Sequence, residues 1–144
     1  MAKGIKLKYK VLFNKCLSCN YLFGSKISFK NNTATFKNAY MPSGNVITYW
    51  SSKVSYSSCR YCANLPVLHA NKVYKINMNL TSSPSKTILL KVSFFDCYGN
   101  VLSNEYHYDN FKLKCPSNYS HYSFELLCAG CTELDFKSID IEEV

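Results

Sequence analysis

Apolar side chains recur at every second position along most of this chain of 144 residues, and a period of two is the mark of β-strands with one buried face. In "IKLKYKVLF", Ile5, Leu7, Tyr9, Val11 and Phe13 share one parity while Lys6, Lys8 and Lys10 share the other. That is a half-buried strand with a solvated lysine face. "KISF" and "TATF" follow, separated by the turn-forming "KNN". "VITYWSSKVSY" alternates again and places Val46, Thr48, Trp50, Ser52 and Val54 on one face. Tyr74, Ile76, Met78 and Leu80 alternate through "VYKINMNL", after which "TSSPSK" reads as a loop. "TILLKVSFFD" is apolar at both parities, as a central strand buried on two sides would be. In "DCYGN" a hairpin turn is expected, with Gly99 free to take a positive φ. "HYSFELL" and "ELDFKSIDI" close the chain. Leu134 and Phe136 have one parity and Ile139 and Ile141 the other, which predicts a bulge between them.

About eight to ten short strands punctuated by Gly, Asn, Pro and Ser, with no segment of helical period, predict an all-β fold. The expected architecture is an antiparallel β-sandwich of jelly-roll type, one domain over residues 1–144, with no repeat or linker. At 16.5 kDa the chain is large enough to bury a core without staples. Lysines at 3, 6, 8 and 10 interrupt any apolar signal segment, and nowhere is there an apolar run of membrane-spanning length, so a cytoplasmic protein is expected.

Charge is unevenly placed. Residues 1–95 hold 14 Lys or Arg and no acid, whereas residues 96–144 hold 3 Lys and 9 acids. If the fold interleaves the two segments, the asymmetry cancels on the surface. If not, one basic flank faces an acidic protein or the inner face of a membrane. Nucleic acid is not the expected partner, since Arg60 is the sole arginine and no nucleic-acid motif is present.

A catalytic site needs an acid, a base or an activated nucleophile within mutual reach. The chain has three histidines, His69, His107 and His121, no carboxylate before Asp96, and no nucleophile elbow, phosphate loop or H-E-x-x-H. "EYHYD" sets Glu105, His107 and Asp109 on one side of a strand, about 7 Å apart in succession, which reads as a solvated strand face. No enzymatic activity is expected. The cysteines are more pointed, with three C-x-x-C pairs at Cys16/Cys19, Cys59/Cys62 and Cys128/Cys131. In a reducing compartment they are free thiols or metal ligands, not a disulfide framework. The first two pairs sit in predicted loops and could form zinc knuckles, although the 39 residues between Cys19 and Cys59 exceed ribbon spacing. No cofactor is expected, with structural zinc on Cys16, Cys19, Cys59 and Cys62 as the alternative. Aromatic rings offer a second class of site, because sugar-binding sandwiches stack rings on pyranose faces. Trp50 shares its parity with Val46 and is expected in the core.

Three stretches are more than generic: "MPSGNVITYWSSKVSY" (Met41 to Tyr56), "LPVLHANKVY" (Leu65 to Tyr74) and "ELLCAGCTELDFKSIDI" (Glu125 to Ile141). With "FFDCYGN" between them, in this order and spacing, the chain resembles the small third component of the accessory Sec system, a family of Gram-positive bacteria that export serine-rich-repeat glycoprotein adhesins. The resemblance implies a sandwich similar to carbohydrate-binding modules and a non-enzymatic scaffold and substrate-binding subunit. It also implies two larger partners, one glycosyltransferase-like and one acetyltransferase-like, a glycosylated adhesin substrate and a motor ATPase beside the translocon. Met41, Pro42, Ser43, Gly44, Trp50, Leu65, Pro66 and Leu68 carry the motif and are the candidate partner- or glycan-binding residues. Relatives commonly read "NAGC", so "CAGC" is expected to be a strand end and tight turn that gains a second thiol. "CLSC" and "CRYC" depart from the family pattern. The rival readings are a free-standing carbohydrate-binding module and a zinc-stabilised domain.

Overall fold

A computed structural model describes residues 8–12, 26–30, 33–38, 44–52, 65–66, 68–83 and 87–144, and among these it contains ten strands and no helix. The strands are β1 (Lys8–Val11), β2 (Lys26–Lys30), β3 (Thr33–Lys37), β4 (Val46–Ser51), β5 (Val73–Ser83), β6 (Ile88–Phe95), β7 (Val101–His107), β8 (Phe111–Lys114), β9 (His121–Cys128) and β10 (Glu133–Glu143). They form two antiparallel sheets. One has six strands in the order β2-β3-β10-β5-β8, with β1 also paired to β10, and the other has four in the order β4-β9-β6-β7. Ile5, Leu7, Phe13, Val54 and the Asn31-Asn32 turn lie outside the described residues.

The long strand β10 organises the larger sheet. One of its edges runs against β5 from Glu133↔Ser83 to Glu143↔Tyr74. The other edge is shared in succession: β3 takes Glu133 to Phe136, and β1 takes Ile139 to Glu142. Between them the register shifts at Phe136/Ser138, so Lys137 is the extra residue of the expected bulge. The shift keeps Leu134, Phe136, Ile139 and Ile141 all in the core, each no more than 1% exposed, although their sequence parity changes.

A second bulge has no signature in the sequence. The pairing of β4 with β9 shifts between Val46↔Leu127 and Thr48↔Leu126. Ile47, Thr48 and Trp50 are consequently buried, while Val46 lies with the half-buried Leu127 on the outer face. Val46 and Trp50 therefore do not share a face, contrary to the alternation read from sequence. Three other expectations change in detail. β5 runs on through Ser83 into the expected loop, and β8 is an additional short strand. β6 is central, between β9 and β7, but buries only one face fully; Leu89, Lys91 and Phe95 on the other are half-exposed. In the β6–β7 turn Gly99 has φ +84°, and the Asp96 carboxylate accepts from the Asn100 and Tyr98 amides at 2.9 Å each. Those donors hold the Asp96 pKa below its ordinary value.

The core is closed between the sheets by rings. Trp50 of β4 is fully buried, stacks on Phe136 of β10 at 5.6 Å, and donates its indole N–H to the Leu12 carbonyl at 2.9 Å. His107 of β7 stacks on Phe111 of β8 at 3.7 Å along one open side. Removing the indole leaves a cavity that rigid sheets on both sides cannot close. Trp50→Ala is expected to cost about 3–5 kcal/mol in urea unfolding, with the m-value unchanged.

Candidate functional site

The described motif residues do not converge on one surface; the sandwich distributes them over both of its ends and its middle. Met41, Pro42 and Ser43 lie outside the described residues. Gly44 stands at the end of the sandwich where β9 finishes, its amide donating to the Cys128 carbonyl at 2.6 Å. The Cys128 amide in turn donates to the Asn45 carbonyl at 2.9 Å, so the ends of "MPSGN" and "CAGC" are neighbours in space. Trp50 is in the centre of the core and has no ring face to offer a sugar or a partner.

At the opposite end, Leu65 and Leu68 are buried at 8% and 2% exposure, and the segment they belong to is latched by three phenols. Tyr122 donates to the Pro66 carbonyl. Tyr119 donates to the Leu68 carbonyl and accepts from the Leu68 amide. Tyr74 accepts from the His69 amide at 2.8 Å. This arrangement satisfies peptide groups that would otherwise sit bare against the apolar core. Burial pushes all three phenols above their ordinary range, Tyr119 up to about 12. The sequence shows a tyrosine-rich chain but not which hydroxyls meet which carbonyls.

"CAGC" is a strand end followed by a tight turn, as expected, with Gly130 at φ +99° in the left-handed region that favours glycine. Cys128 and Cys131 are both buried with their sulfurs 3.5 Å apart, and the Cys128 thiol points at the Cys131 carbonyl. An asparagine at 128 would find that same carbonyl to donate to. Burial first, and then the neighbouring Cys128, push the Cys131 thiol well up, which is the opposite of a reactive thiol. Cys16, Cys19, Cys59 and Cys62 lie outside the described residues. Among the described residues no group of three or more His, Cys, Asp or Glu is placed to hold a metal ion. Glu105 and His107 are in contact at 3.3 Å. They stand opposite Val92 and Leu90, on the inward parity of edge strand β7. Their side chains keep 38% and 27% exposure and Asp109 is exposed, so this side of the edge strand stays partly solvated; inward charge on an edge strand discourages further strands from pairing there.

The two outer faces differ in chemistry. On the six-stranded sheet Lys8 faces Glu142, Lys10 faces Asp140 and Lys37 faces Glu133 in register, with ion pairs of 3.8 Å at the first and last. The fold thus interleaves basic and acidic segments along β10, while the two edges of this face stay basic: Lys26 stands opposite Lys37 and Lys75 opposite Lys112, with Lys114 beside them. Where β3 gives way to β1, an open cleft of about 670 Å³ of mixed character is lined by Lys10, Thr33, Met78, Leu80, Asp135 and Lys137 among others. Across the four-stranded sheet, one register row reads Tyr49–Glu125–Lys91–Tyr106 and the next Ser51–Ser123–Ser93–Asn104. Tyr49 and Tyr106 remain 38% and 52% exposed, and the sequence alone gives no reason to single out either.

The family model for "Accessory Sec secretory system ASP3" matches residues 20–143. The accessory Sec system protein ASP3 of Streptococcus gordonii is 34% identical over 126 residues, covering 86% of this chain and 79% of that protein. Its counterpart of the same name in Staphylococcus aureus (strain NCTC 8325 / PS 47) is 28% identical over 137 residues, covering 94% of this chain and 43% of that protein. A chain in the crystal structure of accessory secretory protein 1, 2 and 3 in Streptococcus pneumoniae superposes with TM-score 0.87 at 26% identity, covering 94% of this chain and 95% of that one. At the level of fold alone, the structure of Clostridium thermocellum xylanase 10B CBM22-1–GH10 modules gives TM-score 0.54 at 15% identity, covering 96% of this chain and 29% of that chain.

Two outcomes follow from the buried groups. The fold favours the neutral phenols, so their contribution to stability is complete below pH 10.0, the ordinary tyrosine value, and is lost as pH rises through the higher folded values. Tyr119→Phe is expected to lower stability by about 1 kcal/mol at pH 7 and to weaken that alkaline decline, read by denaturant unfolding at each pH. Alkylation at pH 8 with mass mapping is expected to label the exposed Cys97 and spare Cys115, Cys128 and Cys131 until the protein is unfolded.

Proposed function

The chain belongs to the accessory Sec system ASP3 family, and from that premise we propose that it is a non-enzymatic scaffold and substrate-binding subunit of the accessory Sec complex. In this reading it assembles in the cytoplasm with the two larger accessory Sec proteins, one glycosyltransferase-like and one acetyltransferase-like. Together they receive serine-rich-repeat glycoprotein adhesins and pass them to the motor ATPase and translocon at the inner face of the membrane.

The observation that carries the proposal is the superposition at TM-score 0.87 on a chain of the three-component pneumococcal structure, over 95% of that chain. A match of this extent means the surfaces are laid out on a common framework. The chain's own chemistry supports the same reading. Its described motif residues hold the sandwich in shape: Gly44 joins β4 to β9, Leu65 and Leu68 cap the core, and Trp50 bridges the sheets. Such residues specify a rigid body, which is what a scaffold contributes to an assembly. Among the described residues no helix is long and apolar enough to cross a membrane.

Co-expression with the two larger accessory Sec proteins, followed by size-exclusion chromatography, tests the assignment. All three chains are expected in one peak. Elution of this chain alone, at the volume of a 16.5 kDa monomer, would overturn it.

A further inference from the structure

The outer face of the six-stranded sheet carries more positive charge than its own acids balance. Near one edge the register row Lys26–Lys37–Glu133–Ser83 sets two lysines side by side on β2 and β3. Toward the other edge the row Lys112–Lys75–Glu142–Lys8 gathers three lysines around one carboxylate, and Lys114 follows on the same face of β8. Lys10 and Lys137 stand at the cleft between the two edges. With Lys30, nine lysines share this face with Glu133, Asp135, Asp140 and Glu142, an excess of five positive charges. Lys37 and Lys8 already hold Glu133 and Glu142 at 3.8 Å. No residue before Asp96 is acidic, so no segment outside the described residues can neutralise the surplus.

The opposite sheet is charged the other way. Its strands and the β6–β7 turn carry Lys91 alone against Asp96, Glu105 and Glu125. The molecule is therefore electrically polarised, with the broad face as its positive pole. Lysines on the edge strands β2 and β8 deter further strands from pairing there. That role does not call for Lys37 and Lys75, which lie on inner strands directly opposite Lys26 and Lys112, where like charges destabilise a sheet.

We propose that this face docks on the anionic surface of a membrane, and the proposal rests on the function above only in placing the chain beside a bilayer. From β2 to β8 the face spans four strand spacings, about 19 Å, and the 11 residues of β10 run about 36 Å. Its lysines are spread over that area and do not converge as a site for one small anion would require. Spread charge matches a plane of headgroups, whose attraction reaches about one Debye length, ~8 Å at physiological salt. A protein partner is the poorer fit. Interface cores are rich in aromatic rings and arginine and poor in lysine, whereas the outward rows of this face hold neither ring nor arginine among the described residues.

The test is co-sedimentation of the full chain with vesicles of phosphatidylcholine, alone or mixed with phosphatidylglycerol, at low and at high salt. Sedimentation with the anionic vesicles only, and its loss at high salt, are expected. Lys26→Gln is expected to weaken binding about fivefold, and Lys75→Gln combined with Lys112→Gln roughly thirtyfold. Neither variant is expected to lower the Tm, because each breaks up a like-charge pair. Lys91→Gln, on the opposite sheet, is expected to bind as the wild type does. Equal sedimentation with neutral vesicles, sedimentation with neither, undiminished binding by the edge variants, or equal weakening by Lys91→Gln would overturn the proposal. So would failure of the edge variants to co-purify with the two larger partners, which would make this face a protein interface. Failure of the wild-type chain to co-purify would strike the scaffold assignment and leave the vesicle result to stand by itself.

Discussion

Everything in the larger sheet depends on one inserted residue. The period of a strand is two, so a single-residue slip exchanges the buried and exposed faces. β10 is long enough to span the whole sandwich, and its apolar residues change parity halfway. Lys137 absorbs that change, so Leu134 and Phe136 on one side and Ile139 and Ile141 on the other all reach the same core. A regular strand would turn two isoleucines toward water, forfeiting about 1.5–3 kcal/mol for each. The same position is where β3 leaves the edge of β10 and β1 takes its place. The bulge therefore sets the core, the strand order and the location of the cleft together.

The uneven charge distribution acquires a structural meaning from that strand order. The acids are concentrated late in the chain and the bases early, yet β10 lies between β1, β3 and β5. Glu133, Asp140 and Glu142 come to face Lys37, Lys10 and Lys8 as a result. Exposed pairs of this kind contribute little to stability. Their effect is to make the broad face hydrophilic and balanced along β10, with lysines in surplus at its two edges. The narrow face, by contrast, keeps rings, short hydroxylated side chains and little charge.

Much of the strand architecture was legible because half-buried strands write their alternation plainly: β5, β9 and the β10 bulge follow directly from the positions of Tyr74, Ile76, Leu134 and Ile139. The β4 bulge was not legible, since Val46, Thr48 and Trp50 show an unbroken parity that only the register with β9 interrupts. β8 is four residues long, too short to show a period, and its neighbour β7 reads more polar than apolar. The family motif was visible as a string of letters, but of its described residues Trp50, Leu65 and Leu68 proved to be buried in the body. The make-up of the narrow outer face is hidden from the sequence for a related reason. Its rows come from four strands whose pairing sets Tyr49 beside Glu125 and Lys91 beside Tyr106, and pairing is information that lies between segments.

The phenol latch over the end of the core implies something about how this family can drift. Replacing Tyr74, Tyr119 or Tyr122 by phenylalanine preserves the ring and nearly all of the volume, so as a change of shape the substitution is nearly silent. What it deletes is one oxygen atom, and with it the partner of a backbone group on the capping segment. Purifying pressure at these positions would act on a hydroxyl and leave the ring almost free. The loss would fall on the backbone groups of Pro66, Leu68 and His69, whose side chains have no part in the latch.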